Sequence, residues 1–184
     1  MNRKSLAILE YDKIKHKLFQ HATTEMGKRQ VKRLSPSTDL DEIQVKLLQT
    51  KDGADILRLK GGVPIPQLTL ITDHLKRLEI GATLNGKELA EISQVLRSAN
   101  EVHRFFTALA DEKVELNYLY ELEEQLETLP QLAKRLQVSL EADGYVTDDA
   151  SSLLRSLRRQ ISTTEATIRN RLVALTRGNN AKYL

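Results

Sequence analysis

From Leu153 the positions Leu157, Ile161, Thr164, Ile168, Leu172 and Leu175 follow at steps of 4, 4, 3, 4, 4 and 3 residues. A half-buried strand needs a period of two, so this register permits only a helix. Its eleven-residue repeat lies so near the natural helical turn that the stripe runs almost straight along one side. The spacing predicts one long helix with little left-handed supercoiling, starting near Asp148-Asp149, whose carboxylates suit a helix amino terminus. The pattern fades at Gly178-Asn179-Asn180.

The same test organises the chain upstream. Leu6, Leu9, Ile14 and Leu18 predict one or two short helices, bent near Glu10-Tyr11-Asp12 with Asp12 as the cap. A third helix is expected from about Glu25 to Leu34. After the Ser35-Pro36 turn, Asp39 and Glu42 hold the capping-box spacing before a long helix with the stripe Leu40, Ile43, Leu47, Thr50, Ala54 and Leu57. Gly61-Gly62-Val63-Pro64-Ile65-Pro66 ends it, because glycine lowers helical preference and proline removes amide donors.

Leu68, Ile71, Leu75 and Leu78 mark a shorter helix. Asn85 with Glu88 caps a second long one, in which Leu89, Ile92, Leu96, Ala99, His103 and Phe106 hold the heptad phase, widened by Val95, Val102 and Leu109. So broad an apolar face predicts burial. Leu116, Leu119, Leu122 and Leu126 predict an acidic helix, Pro130 opens the next at its first turn, and 143–149 form a polar turn.

With aromatics at 4% and no tryptophan, the core must come from Leu, Ile, Val and Ala, the content of helix bundles. The expected fold is therefore all-α, an irregular helical bundle with a long helix at its carboxy-terminal end. The absence of cysteine excludes disulfides and thiolate metal sites and fits a reducing, cytoplasmic setting. The basic start Met1-Asn2-Arg3-Lys4 is followed by an apolar run too short for a signal sequence, and no run approaches the roughly 20 apolar residues of a membrane span. No membrane partner is expected.

Two patterns imitate chemistry. Gly81-Ala82-Thr83-Leu84-Asn85-Gly86-Lys87-Glu88 has the glycine and lysine spacing of a phosphate loop, but Glu88 stands where a magnesium-binding hydroxyl belongs, and a helical pattern precedes it instead of a strand. A helix–helix turn capped by Asn85 explains it better. His16, His21, His74 and His103 lack the spacing of a zinc site; His103 reads as a core or edge histidine. No nucleophile, base and orienting group assemble, so neither catalytic residue nor cofactor is assigned to this chain.

The charge is segmented. Residues 1–33 carry nine Lys/Arg against three acids, 111–129 seven acids and one lysine, and 151–177 six arginines against Glu165 alone. On the last helix Arg155, Arg158, Arg159, Arg169 and Arg177 fall within a stripe roughly 100° wide, nearly opposite the Leu/Ile stripe, with Arg171 off it. Such a ridge could follow phosphates without sequence preference. The plainer alternative is a solvated face, or pairing with the acidic 111–129 helix. No aromatic is interleaved, so stacking on single strands has no support there.

Several segments together resemble the second bacterial MutS family, MutS paralogues that carry a carboxy-terminal Smr nuclease domain. Leu9-Glu10-Tyr11-Asp12-Lys13-Ile14, Thr24-Glu25-Met26-Gly27, Leu34-Ser35-Pro36 and Leu78-Glu79-Ile80-Gly81-Ala82-Thr83-Leu84 are similar to it. So is Gly144-Tyr145-Val146-Thr147-Asp148-Asp149-Ala150-Ser151, followed by Leu153, Arg155, Leu157, Arg158 and Ile161. Val146 and Leu157 stand where isoleucine is common in the family.

The resemblance implies a helical core over 1–145 and, over 146–184, the start of a lever helix leading toward a clamp. The ATPase, clamp and Smr domains would lie outside this chain. It implies a homodimeric parent that uses ATP and magnesium and acts as an endonuclease. That parent would suppress homologous recombination on branched DNA, split collided ribosomes through rRNA contact, or do both. A stand-alone helical module binding nucleic acid or rRNA is the competing expectation.

Overall fold

A computed structural model describes residues 3–177. The stretches Met1-Asn2 and Gly178-Asn179-Asn180 therefore lie outside the described residues. Within residues 3–177 every regular element is helical: α1 Arg3–Ile8, α2 Tyr11–His21, α3 Glu25–Arg33, α4 Leu40–Lys60, α5 Thr72–Glu79, α6 Gly86–Asp111, α7 Leu119–Glu124, α8 Pro130–Ser139 and α9 Ser152–Arg177, with a 3₁₀ turn at Asp148–Ala150. The fold is all-α. The sole extended pairing among them is one bridge between Leu140 and Val146.

The middle of the molecule is organised by α6. It packs against α7 and α8, while α4 reaches the same centre through α7. Ile56 of α4 and Val102, Phe106 and Leu109 of α6 form the buried cluster, joined by Val63, Phe105, Val114, Leu116, Leu119 and Tyr120. Phe106 meets the rings of Phe105 and Tyr120 edge-on at 5.7 and 5.9 Å, the arrangement that aromatic quadrupoles favour.

The stripe expected on α4 is out of phase. Leu40, Leu47 and Leu57 are exposed, whereas Asp52 and Ile56 are buried. Val45, Leu48, Asp52 and Ile56 follow one another at steps of 3, 4 and 4 on a neighbouring face, the first two half-buried. The face turned inward contains a carboxylate, which a count of apolar residues rejects.

That carboxylate is fully buried and satisfied. The Asn117 amide donates to both Asp52 oxygens at 2.9 Å, the Asn117 side chain at 2.7 Å, and the Tyr118 and Leu119 amides at 2.7 and 3.2 Å. Asp52 thus supplies, from a different helix, the cap that α7 lacks locally, since Tyr118 at its N-cap position offers no side-chain acceptor. Burial raises the Asp52 pKa, but the donors from Asn117, Tyr118 and Leu119 outweigh it and hold the carboxyl below its ordinary value. The expected acidic helix is accordingly short: 112–118 serve as the turn that delivers these amides.

The breaks fall where turn chemistry puts them. Gly61 ends α4 in the left-handed region at φ 79°. Asn85 and Glu88 form the complete capping box of α6, and Pro130 is the first residue of α8. The decoy 81–88 is therefore a helix–helix turn. Gly86 is required there for another reason, because its backbone touches the turn at Gly144. At the amino end the bend is sharper than expected: Glu10, not Asp12, occupies the cap position of α2, in the left-handed region at φ 53°.

Candidate nucleic-acid interface

At about 1.5 Å per residue the 26 residues of α9 extend roughly 39 Å. Its principal neighbour is the 3₁₀ turn at its root, which in turn rests on α8. None of its residues is buried, and Leu153, Leu157, Ile161, Ile168, Leu172 and Leu175 are all about half exposed or more. The straight stripe read from the sequence is present, but no element among the described residues covers it.

The root is built from residues the sequence assigns differently. Ser151, not Asp148 or Asp149, caps α9, its hydroxyl accepting from the Leu154 amide at 3.0 Å. Asp149 instead pairs with Arg155, and Asp148 with Arg158 at 2.6 Å. The Arg158 guanidinium also lies 4.6 Å from the centre of the Tyr145 ring. Tyr145 is placed by the turn after α8, where the Glu141 amide donates to the Tyr145 carbonyl and the Tyr145 amide donates to Asp143.

The five candidate arginines therefore divide. Arg155 and Arg158 are engaged at the root, and with Asp148 and Asp149 rather than with the acidic 111–129 segment. Arg159, Arg169 and Arg177 are exposed and carry no ion pair among the described residues. Arg158→Ala is expected to lower stability by about 1 kcal/mol, the sum of a partly exposed pair and a cation–π contact. Amide exchange should quicken over the first turns of α9 and stay unchanged in α6.

Elsewhere two of the four histidines, His74 and His103, make contacts between helices. His103 sits at the edge of α6, half-exposed, and contacts Glu123 of α7 at 2.5 Å. His74 of α5 meets Glu91 of α6 at 2.8 Å, and Arg77 forms an ion pair with Glu88 beside it, so these side chains fasten α5 to α6. The Asn85 amide, acting against partial burial and with help from Arg77 and His74, holds the Glu88 carboxyl below its usual range. Among the described residues no three His, Cys, Asp or Glu side chains converge as a metal site, and no helix is long and apolar enough to cross a membrane.

Fold and surface together define a helical scaffold with a charged, projecting arm. No family model matches the chain. Over all 184 residues, however, it is 60% identical to the endonuclease MutS2 of Ligilactobacillus salivarius, 51% to that of Latilactobacillus sakei and 45% to that of Enterococcus faecalis. It spans 23% of the length of each. Over its full length the chain is similar to the amino-terminal part of those proteins.

Proposed function

We propose that this chain is the core and outgoing lever of a MutS-type protein, with residues 1–145 as the core and 146–184 as the start of the lever. It passes motion between a nucleotide-driven module and nucleic acid, and carries out no bond chemistry itself. The observation that carries this reading is the arm: α9 is pinned at one end by Asp148, Asp149 and Tyr145, and is exposed along the rest of its length.

In this reading the unpaired Arg159, Arg169 and Arg177 face phosphates, and the bare Leu/Ile stripe packs on protein. The relatives are named as endonucleases, and the resemblance extends the proposal to a homodimeric, ATP- and magnesium-dependent whole protein acting on branched DNA to suppress recombination. The same phosphate chemistry would serve rRNA in splitting collided ribosomes, or in a stand-alone binding module.

The test is a break in the arm. Two glycines inserted between the residues matching Thr163 and Thr164 of a full-length relative interrupt the helix at a cost of about 1 kcal/mol each without touching its root. The proposal predicts that ATP hydrolysis survives but no longer responds to added DNA or ribosomes. Normal coupling in the interrupted protein would contradict it.

A further inference from the structure

The amino-terminal helices hold a second surface that α9 does not share. Between α2 and α3 lies a cavity of about 300 Å³ lined by Asp12, Lys15, His16, Phe19, Val31 and Lys32. Phe19 and Val31 supply an apolar floor. Three ammonium groups gather around it: Lys32 Nζ stands 5.2 Å and Lys28 Nζ 5.9 Å from the centre of the Phe19 ring, and Lys15 Nζ donates to the Lys32 carbonyl at 2.8 Å. The acids facing them are Asp12, on the rim, and Glu25, paired with Lys28 at 2.9 Å. Over residues 10–33 seven Lys/Arg stand against three acids, so the surroundings stay cationic.

A concave apolar floor with an aromatic ring, framed by cations on flexible stems, complements a flat apolar body that carries phosphates. Duplex DNA presents its bases inside the stack and cannot offer one to such a pocket. Lysines are mobile point charges without the rigid fork that reads base edges, which suits binding tolerant of sequence.

We propose that the α2–α3 cleft is a subsite for single-stranded nucleic acid. One unpaired base rests against Phe19 and Val31, and the flanking phosphates draw the ammonium groups of Lys28 and Lys32 off the ring and that of Lys15 off the Lys32 carbonyl. The proposal extends the nucleic-acid reading to a surface separate from α9, and the two can fail independently.

Fluorescence anisotropy of the 184-residue chain with a labelled oligothymidylate and a labelled duplex, at several salt concentrations, tests it. Phe19→Leu, with its helix content checked by circular dichroism, is expected to weaken single-strand binding on the order of tenfold and leave duplex binding unchanged. Lys28→Gln and Lys32→Gln should each flatten the single-strand salt dependence by about 0.7 in log–log slope, while Arg159→Gln and Arg169→Gln leave that slope unaltered. Undiminished single-strand binding by both the Phe19 and the lysine variants would overturn the proposal. So would displacement of the oligonucleotide by an equal concentration of a glutamate-rich peptide.

Discussion

Gly144→Ala is expected to destabilise the chain by about 3–5 kcal/mol, enough to remove much of the 5–15 kcal/mol typical of a domain. Two costs add. Gly144 sits at φ 90°, where a side chain is strained. A Cβ there would lie 2.2 Å from the Lys87 amide nitrogen and 2.5 Å from the Gly86 carbonyl carbon. Those are backbone atoms of the first turn of α6, so no side chain can rotate away to make room. Gly86→Ala meets the same contact from the other side, its Cβ falling 2.1 Å from the Gly144 carbonyl oxygen. Urea unfolding should show lower midpoints for both variants with little change in slope. Gly53→Ala is the control: it lies mid-helix with nothing within 4 Å, and should stabilise by about 0.5–1 kcal/mol.

Asp52→Leu is expected to cost about 3–5 kcal/mol despite adding an apolar side chain to a buried position. The loss arises at α7. The amides of Asn117, Tyr118 and Leu119 all donate to this one carboxylate, and leucine leaves them unpaired at a helix start. The same site sets a pH dependence. Because the folded pKa is depressed, the contribution of Asp52 is fully present above the ordinary carboxylate range near pH 4 and is lost as the pH falls through and below it. The wild-type protein should therefore lose stability with acid more steeply than Asp52→Asn, as followed by thermal melts across that range.

These two positions also show what a one-dimensional reading reaches. Local signals read true: the Gly61 stop, the Asn85–Glu88 capping box, the Pro130 start and the periodicity of α9 each depend on residues within a turn or two of one another. Features that depend on distant partners do not. Asp52 breaks an apolar stripe unless Asn117 is known to face it, so apolar spacing places the stripe of α4 on Leu40, Leu47 and Leu57, which are exposed. Gly86 reads as part of a phosphate loop until Gly144 is seen against it. Asp148 and Asp149 read as caps because charge at a helix start is the commoner use. Only the turn around Tyr145 shows them holding Arg158 and Arg155.

The arginine ridge is legible as a stripe, whereas its division into root and free face is not. The cleft at Phe19 gives no sign in the sequence, since Lys15 and Lys32 are brought together by the α2–α3 packing and not by spacing.

The central claim is that the free face of α9 meets phosphates. It is tested most directly by titrating DNA against the wild-type chain and the Arg159→Gln, Arg169→Gln, Arg177→Gln triple variant over a range of salt. The account predicts that each lost arginine flattens the log–log salt dependence of duplex binding by about 0.9 and weakens binding uniformly across sequences. A triple variant that binds with wild-type affinity and an unchanged salt slope would contradict it, leaving α9 as a solvated arm.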